Sequence, residues 1–547
     1  MFKRLFNGQI KSITMAAVLI AASSLVSRFL GIFRDRILAG EFGAGDTLDV
    51  YYAAFRIPDL VFNLLVLGAL SAGFIPIFSG LLKNPIDKIK GIISKKLNSE
   101  AWELANLILN ILGIFLIVFC ALGIIFAPFF MKLIAPGFSP EKQALTVNLT
   151  RIMFLSPFFL GISSVFGGIL QSFKKFFVYS LSPIMYNIGI IVGALYFVPL
   201  WGIYGLAWGV VLGALMHMLI QVPVAVFSGF RYRFKFDFKN SSLRKIGRMM
   251  IPRTMSLAIG QINLLVITII ASTLASGSLT IFNLANNLQS FPVGIFGISF
   301  AVAAFPTLAA AAFSKKELIK SFSSAIRQIL FLVIPSTVLL ITLRAQIVRV
   351  ILGTGHFNWE DTVLTINTLG FFAISLFAQA IIPLLIRVFY ARQNSHTPFY
   401  IGLFSATVNI FLSLYLAPQF GIAGLALAFS ISSILNFILL WLVLRFEVGN
   451  MDELRILIST AKFSAAAIAS GITIQGVKLV VWPFIDMTKF WGILSQGLAA
   501  GLFGLFIYVA VCSIFKSEEL FSLWSAIKRR LPFKKIETGD QGEARGI

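Results

Sequence analysis

Long apolar runs recur from one end of this chain to the other, each long enough to cross a hydrocarbon core of ~30 Å. A backbone immersed in lipid must satisfy its own polar groups, so such runs are read as helices. A membrane β-barrel would instead show short alternating segments, which the sequence lacks. The chain is 58% hydrophobic and 12% charged, with a mean hydropathy of +0.91. That is too little charge to coat a soluble protein of 547 residues. The expected fold is an all-α polytopic membrane protein.

A hydropathy pass gives about 14 spans, at residues 12–38, 48–80, 102–131, 144–172, 179–199, 203–227, 251–275, 280–313, 322–348, 363–390, 397–417, 421–445, 456–480 and 489–515. The basic start and the apolar run after it lack a small-residue cleavage site, so that run is read as the first span rather than a signal peptide. Both cysteines, Cys120 and Cys512, lie in apolar runs, which argues against a disulfide framework. The three histidines, His217, His356 and His396, have no metal-ligand spacing. No metal site or cofactor is expected.

The net charge of +23 raises the question of nucleic acid, but the placement of the basic residues answers it. With the N-terminus inside, 33 of the 45 Lys and Arg fall on the cytoplasmic side, seven of them within RYRFKFDFKNSSLRKIGR. Both termini are therefore expected in the cytoplasm, with the basic loops facing anionic membrane lipids. The tail after residue 515 opens on an amphipathic piece and is read as solvated or lying on the surface.

The sequence also echoes itself. Trp201-Gly202-Ile203-Tyr204-Gly205-Leu206-Ala207 is matched by Phe420-Gly421-Ile422-Ala423-Gly424-Leu425-Ala426, each after a span holding an Asn, Asn187 or Asn409. A weaker echo links GALSAGFIPIF (68–78) with GISFAVAAFPTL (297–308). Units of six spans keep the same orientation, so the pattern predicts two six-helix lobes in parallel pseudo-repeat plus two C-terminal helices. The expected organisation is an N-terminal lobe at 1–228, a basic cytoplasmic loop at 229–250 and a C-terminal lobe at 251–446. Two further spans at 447–515 and a tail at 516–547 complete it.

Charge inside the membrane is costly, ~2.5–3.5 kcal/mol for an Arg at a helix centre, so it should face protein or water. Most of it clusters in the first two spans, as Arg28, Arg34, Asp35, Arg36, Asp49, Arg56 and Asp59. Arg28, Gly31 and Asp35 share one helix face, whereas Arg34 points elsewhere unless the helix bends at Gly31. One account is internal pairing, with Arg28, Arg34 and Arg56 neutralised by Asp35, Asp49 and Asp59. From residue 142 to 446 the only acids are Asp237, Glu317, Glu360 and Asp361, all in loops, so acid-based ion coupling would have to use the first two spans. The chain has no phosphate-binding Gly loop, HExxH, CxxC or large loop with paired acids, and an enzyme is not expected.

SRFLGIFRD (27–35) resembles the MurJ (MviN) family of lipid II flippases, within the multidrug/oligosaccharidyl-lipid/polysaccharide exporter superfamily. The likeness continues through FGAGDTLDVYYAAFRIPDL, IPRTMSLAIGQINLLV and ASGSLTIFNLANNLQSFPVGIFGISFAVAAFP. The resemblance implies a monomer in the bacterial inner membrane that moves a polyprenyl-diphosphate-linked saccharide-peptide, lipid II, by alternating access. It implies a head-group cavity between the lobes and a lipid-tail groove at the last two helices. By position it points to Arg28, Arg34, Asp35, Asp49 and Arg56 as substrate-site residues. The chain departs from the family pattern at Phe62, Asn63 and Leu67 in the second span and at Asn286-Asn287-Leu288 in the eighth, where the family carries charge. Asn63 and Asn287 are expected to offer neutral donors there. A multidrug or other lipid-linked oligosaccharide exporter of the same superfamily, and a non-transporting membrane scaffold, are the alternatives.

Overall fold

The computed structural model describes residues 13–67, 73–82, 91–312 and 314–530. Among them every regular element is helical. Ten helices are long and apolar enough to cross a membrane. An eleventh is obtained if Trp359–Ile374 and Leu376–Ala391, which meet at 45°, form one bent span. Helices Ile13–Phe42, Asp46–Val61 and Ser241–Ser272, also expected as spans, lie outside that count, the last contributing the shorter apolar helix Leu257–Ser272. Length and composition thus establish ten or eleven of the expected fourteen.

Lipid is as apolar as leucine, so helices in a membrane associate through close packing and interhelical hydrogen bonds. A glycine seam does this in the first half of the chain. Gly205, Gly209 and Gly213 fall four residues apart on one face of Tyr204–Leu219, against helix Phe176–Val192 and the π-helical turn Gly193–Phe197. A Cβ on Gly189 would come within 2.2 Å of Gly213 Cα, and one on Gly193 within 2.3 Å of Gly209 Cα. Only glycine admits that approach.

The internal echo is a repeat of geometry. Gly202 and Gly421 turn the chain with the same torsions, φ 57, ψ −145 and φ 58, ψ −140, in a region that side chains disfavour. The asparagines before these turns also play matching parts. Asn187 Nδ2 donates to Ser27 O and Oγ on the first helix, both at 3.3 Å. Asn409 Nδ2 donates to Asn263 Oδ1, at 2.8 Å, on the first helix of the second half. Each half also has a π-helical turn directly after a helix, Phe62–Leu67 after Asp46–Val61 and Val293–Ile298 after Ser278–Pro292.

Two connections differ from expectation. Asn240 caps helix Ser241–Ser272 by accepting from Ser242 N and Leu243 N, so residues 241–250 of the basic loop are helical. The segment before them runs extended along helix Gly91–Ile134, held by buried Asn106 and Asn110 on the backbone of Arg231, Arg233 and Lys235. The tail, expected to be solvated or to lie on the surface, is docked at its start. Helix Glu518–Arg530 buries Glu519 against Arg327, with Ser459 Oγ at 3.1 Å and Ser517 Oγ at 2.8 Å, while Glu518 meets Arg455 at 2.6 Å. A carboxylate with three such partners outweighs solvation of one helical turn. Residues 531–547 lie outside the described residues.

Candidate functional site between the two halves

The charges of the first two helices are largely spent on contacts to the second half of the chain. Helix Ile13–Phe42 runs unbroken through Gly31, yet Arg28, Arg34 and Asp35 line one cleft of about 160 Å³. Asn187 closes it on one side, and Asn287, Ser290 and Phe291 on the other. Arg34 lies beside Asp35, with Nη2 to Oδ1 at 2.7 Å and Nε to Oδ1 at 3.1 Å, and donates from Nη1 to Asn187 Oδ1 at 3.2 Å. Asn287 Nδ2 donates to the other oxygen, Asp35 Oδ2, at 2.8 Å. Asp35 is buried and fully engaged.

Arg28 is different. Among the described residues it makes no ion pair and no hydrogen bond, and its guanidinium packs on Gly294. A Cβ there would come within 2.3 Å of Arg28 Cζ. A partly buried guanidinium without a counter-charge is costly, and an anionic ligand would offset that cost.

The internal-pairing account is therefore corrected. Of the three arginines it named, only Arg34 forms an ion pair with one of the three aspartates among the described residues, and that partner is Asp35. Asp49 lies elsewhere, buried at the start of helix Asp46–Val61. It accepts from Gly277 N at 2.8 Å, Thr280 N at 2.9 Å and Thr280 Oγ1 at 2.8 Å, with Lys142 Nζ at 3.4 Å. These donors open helix Ser278–Pro292, where free N–H groups and the helix dipole favour an anion. Asp46 adds Lys142 at 2.6 Å and Ser276 at 2.5 Å, which hold its carboxyl below the ordinary carboxylate range. Just before that helix Ala44 N donates to Asp361 Oδ2 at 3.2 Å, and His356 N to Gly40 O at 2.8 Å. Together these contacts latch the halves.

Arg56 also crosses between the halves, but to neutral partners, Thr268 Oγ1 at 2.7 Å and Asn283 Oδ1 at 2.8 Å. Asp59 makes no ion pair among the described residues. Asn63 turns back on its own helix, donating to Asp59 O at 2.8 Å, and is not in the cleft. Thus Arg28, Arg34, Asp35 and Asn287 come together, while Asp49, Arg56 and Asn63 stand apart. Sequence reasoning missed Lys142, Gly277, Thr280 and Gly294. The helix-start signals Ser139-Pro140-Glu141-Lys142 and Gly277-Ser278 mark the first three, whereas nothing in the pattern marks Gly294 as the seat of Arg28.

A helical membrane protein built as two similar halves around a buried polar cleft has the architecture of alternating-access transporters. The chain belongs to the lipid II flippase MurJ family, whose model matches residues 38–494. It is 31% identical over 472 residues to a probable lipid II flippase MurJ of Buchnera aphidicola subsp. Baizongia pistaciae, covering 84% of this chain and 88% of that one. It is 30% identical over 516 residues to a probable lipid II flippase MurJ of Vibrio cholerae, covering 92% and 96%. Among solved structures, a lipid II flippase MurJ in an inward closed conformation superposes with a TM-score of 0.74 at 24% identity, covering 91% and 98%. An inward-facing multidrug-resistance transporter of the MATE family superposes with a TM-score of 0.64 at 16% identity, covering 80% and 99%. Both structural matches establish the fold.

Proposed function

We propose that this chain flips lipid II from the cytoplasmic to the outer leaflet of the bacterial inner membrane, by alternating access between two six-span lobes. The observation that carries this reading is Arg28, a fixed cation without a counter-ion among the described residues, in a cleft between the halves. A guanidinium keeps its charge and presents forked donors suited to a diphosphate. Arg34, Asp35 and Asn287 fix the wall beside it, and the Asp49 contacts close the outer end while the cleft loads from the cytoplasm. Arg56 joins the lobes at mid-depth, and Asn63 braces the second helix. In this reading the lobes comprise residues 1–228 and 251–446. The helices at 447–515 hold the lipid tail, both termini are cytoplasmic, and the protein works as a monomer and catalyses no reaction.

The test is genetic. In cells that depend on this chain, Arg28→Ala at normal expression is expected to abolish growth, with accumulation of lipid-linked precursor on the inner leaflet. Unchanged growth would remove Arg28 from the mechanism.

One observation favours a second reading, export of an organic cation. It is the carboxylate of Asp59, which lacks an ion pair among the described residues. Under that reading Asp59→Asn abolishes resistance to cationic compounds and spares growth; under the flippase reading resistance does not change.

A further inference from the structure

A second space, which combines apolar residues Phe62, Val66 and Ile75 with polar ones, adjoins the cleft within the first half of the chain. It is a cavity of about 490 Å³, in the ~300–1,000 Å³ range of small-molecule sites, and Arg28 lines both spaces. Its polar wall is dense in neutral groups, with Ser24, Ser27, Ser163, Ser164, Gln171 and Gln221 all facing it. Neither Asp nor Glu is among the described lining residues, and Arg28 is the fixed cation there.

The wall is built rather than incidental. Ser163 Oγ lies 2.7 Å from His217 Nδ1 and accepts from Gln221 Nε2 at 2.7 Å. Gln221 also donates to His217 O at 3.1 Å, so its carboxamide is fixed. Its Oε1 nevertheless has no hydrogen-bond partner among the described residues, although Gln221 is only 1% exposed. A buried acceptor left open costs about 1–3 kcal/mol and calls for a donor. Gly167 faces that oxygen, 3.1 Å from where its Cβ would stand, which keeps the space in front of it clear.

A second anionic group would find no further fixed cation here, and an acyl chain would leave Gln221 Oε1 unpaired. A neutral group rich in hydroxyl and amide functions fits: it can donate to Gln221 Oε1 and exchange hydrogen bonds with the serines. We propose that this cavity is a saccharide subsite, receiving the sugar next to the diphosphate while the phosphates sit at Arg28. The inference rests on the flippase reading and deepens it. The sugar is housed within the first lobe instead of between the lobes.

The test measures equilibrium binding of two lipids to the full chain in nanodiscs of neutral phospholipid. One is polyprenyl diphosphate carrying the saccharide-peptide; the other is polyprenyl diphosphate alone. Ser164→Leu fills the cavity and Gln221→Leu removes the open acceptor, with Ser164→Ala as the control that preserves space. Each Leu variant is expected to weaken the saccharide-bearing lipid about tenfold and the bare diphosphate by less than about twofold, the scale of one net hydrogen bond. Arg28→Ala is expected to weaken both, and retained binding of the bare diphosphate shows that the Leu variants are folded. Wild-type affinity of the Leu variants for the saccharide-bearing lipid would mean that the cavity holds only water and would overturn the proposal. Equal losses on both lipids would overturn it too. Failure of the unsubstituted chain to bind either lipid would instead overturn the flippase reading on which the subsite depends.

Discussion

The guanidinium of Arg28 rests on Gly294, across the boundary between the two halves of the chain. Gly294 stands within the π-helical turn Val293–Ile298, and π-bulges in helices often sit at functional places. Gly294→Val would put a branched side chain where the guanidinium lies. Transport is expected to fall to the level of Arg28→Ala while the protein keeps its elution profile and melting temperature. A transport-competent Gly294→Val variant would show that Arg28 needs no such seat.

The latch at Asp49 should be felt as stability. Asp49→Ala strips one carboxylate from Gly277 N, Thr280 N, Thr280 Oγ1 and Lys142. The donors left open at the start of helix Ser278–Pro292 should cost about 1–3 kcal/mol, read as a lower melting temperature in detergent. Acid should act in the same direction through Asp46, whose folded pKa lies below its ordinary 3.8. Its contribution is present above pH 3.8 and is lost as pH falls through the folded value. A flat melting temperature in Asp49→Ala would mean that the latch closes without this residue.

Much of this arrangement was legible in the sequence. The apolar runs announced the helices, since lipid leaves little alternative. SRFLGIFRD and Asp49 stood out because charge in such runs needs a reason. The echoed glycines proved to share one turn geometry, at Gly202 and Gly421. Partner choice was the part that could not be read. Asp49 meets helix-end N–H groups more than two hundred residues away, Arg56 meets a Thr and an Asn, and Glu519 finds Arg327. Backbone donors carry no residue signature, and counting opposite charges in neighbouring spans favours pairings that geometry declines.

The docked tail gives a third prediction. Glu519 and Arg327 are a buried pair, with side chains 4% and 9% exposed. Glu519→Gln leaves Arg327 with only the more exposed Glu518, at 3.2 Å, as its charge partner and should cost about 1–3 kcal/mol, measured by thermal unfolding. Combining Arg327→Met with Glu519→Leu should recover much of the loss, because two well-packed apolar groups carry no desolvation cost. A single variant as stable as the parent would show that the tail is not clamped there.

The glycine seam gives the fourth. Gly209→Leu drives a large side chain into Gly193, whose Cα lies 2.6 Å from where a Cβ on Gly209 would stand. Loss of monodisperse protein after solubilisation is expected, whereas Gly247→Leu, where a Cβ meets nothing within 4 Å, should be tolerated. Equal behaviour of the two would contradict close packing of the seam.

The central claim is that the cleft at Arg28 carries a diphosphate-linked head group across the membrane. Its most direct test is transfer of labelled lipid II across proteoliposomes holding the purified full chain, with empty vesicles and Arg28→Ala alongside. Transfer well above empty vesicles, falling to their rate in Arg28→Ala, is the predicted result. Transfer no faster than in empty vesicles, or undiminished without Arg28, would contradict it.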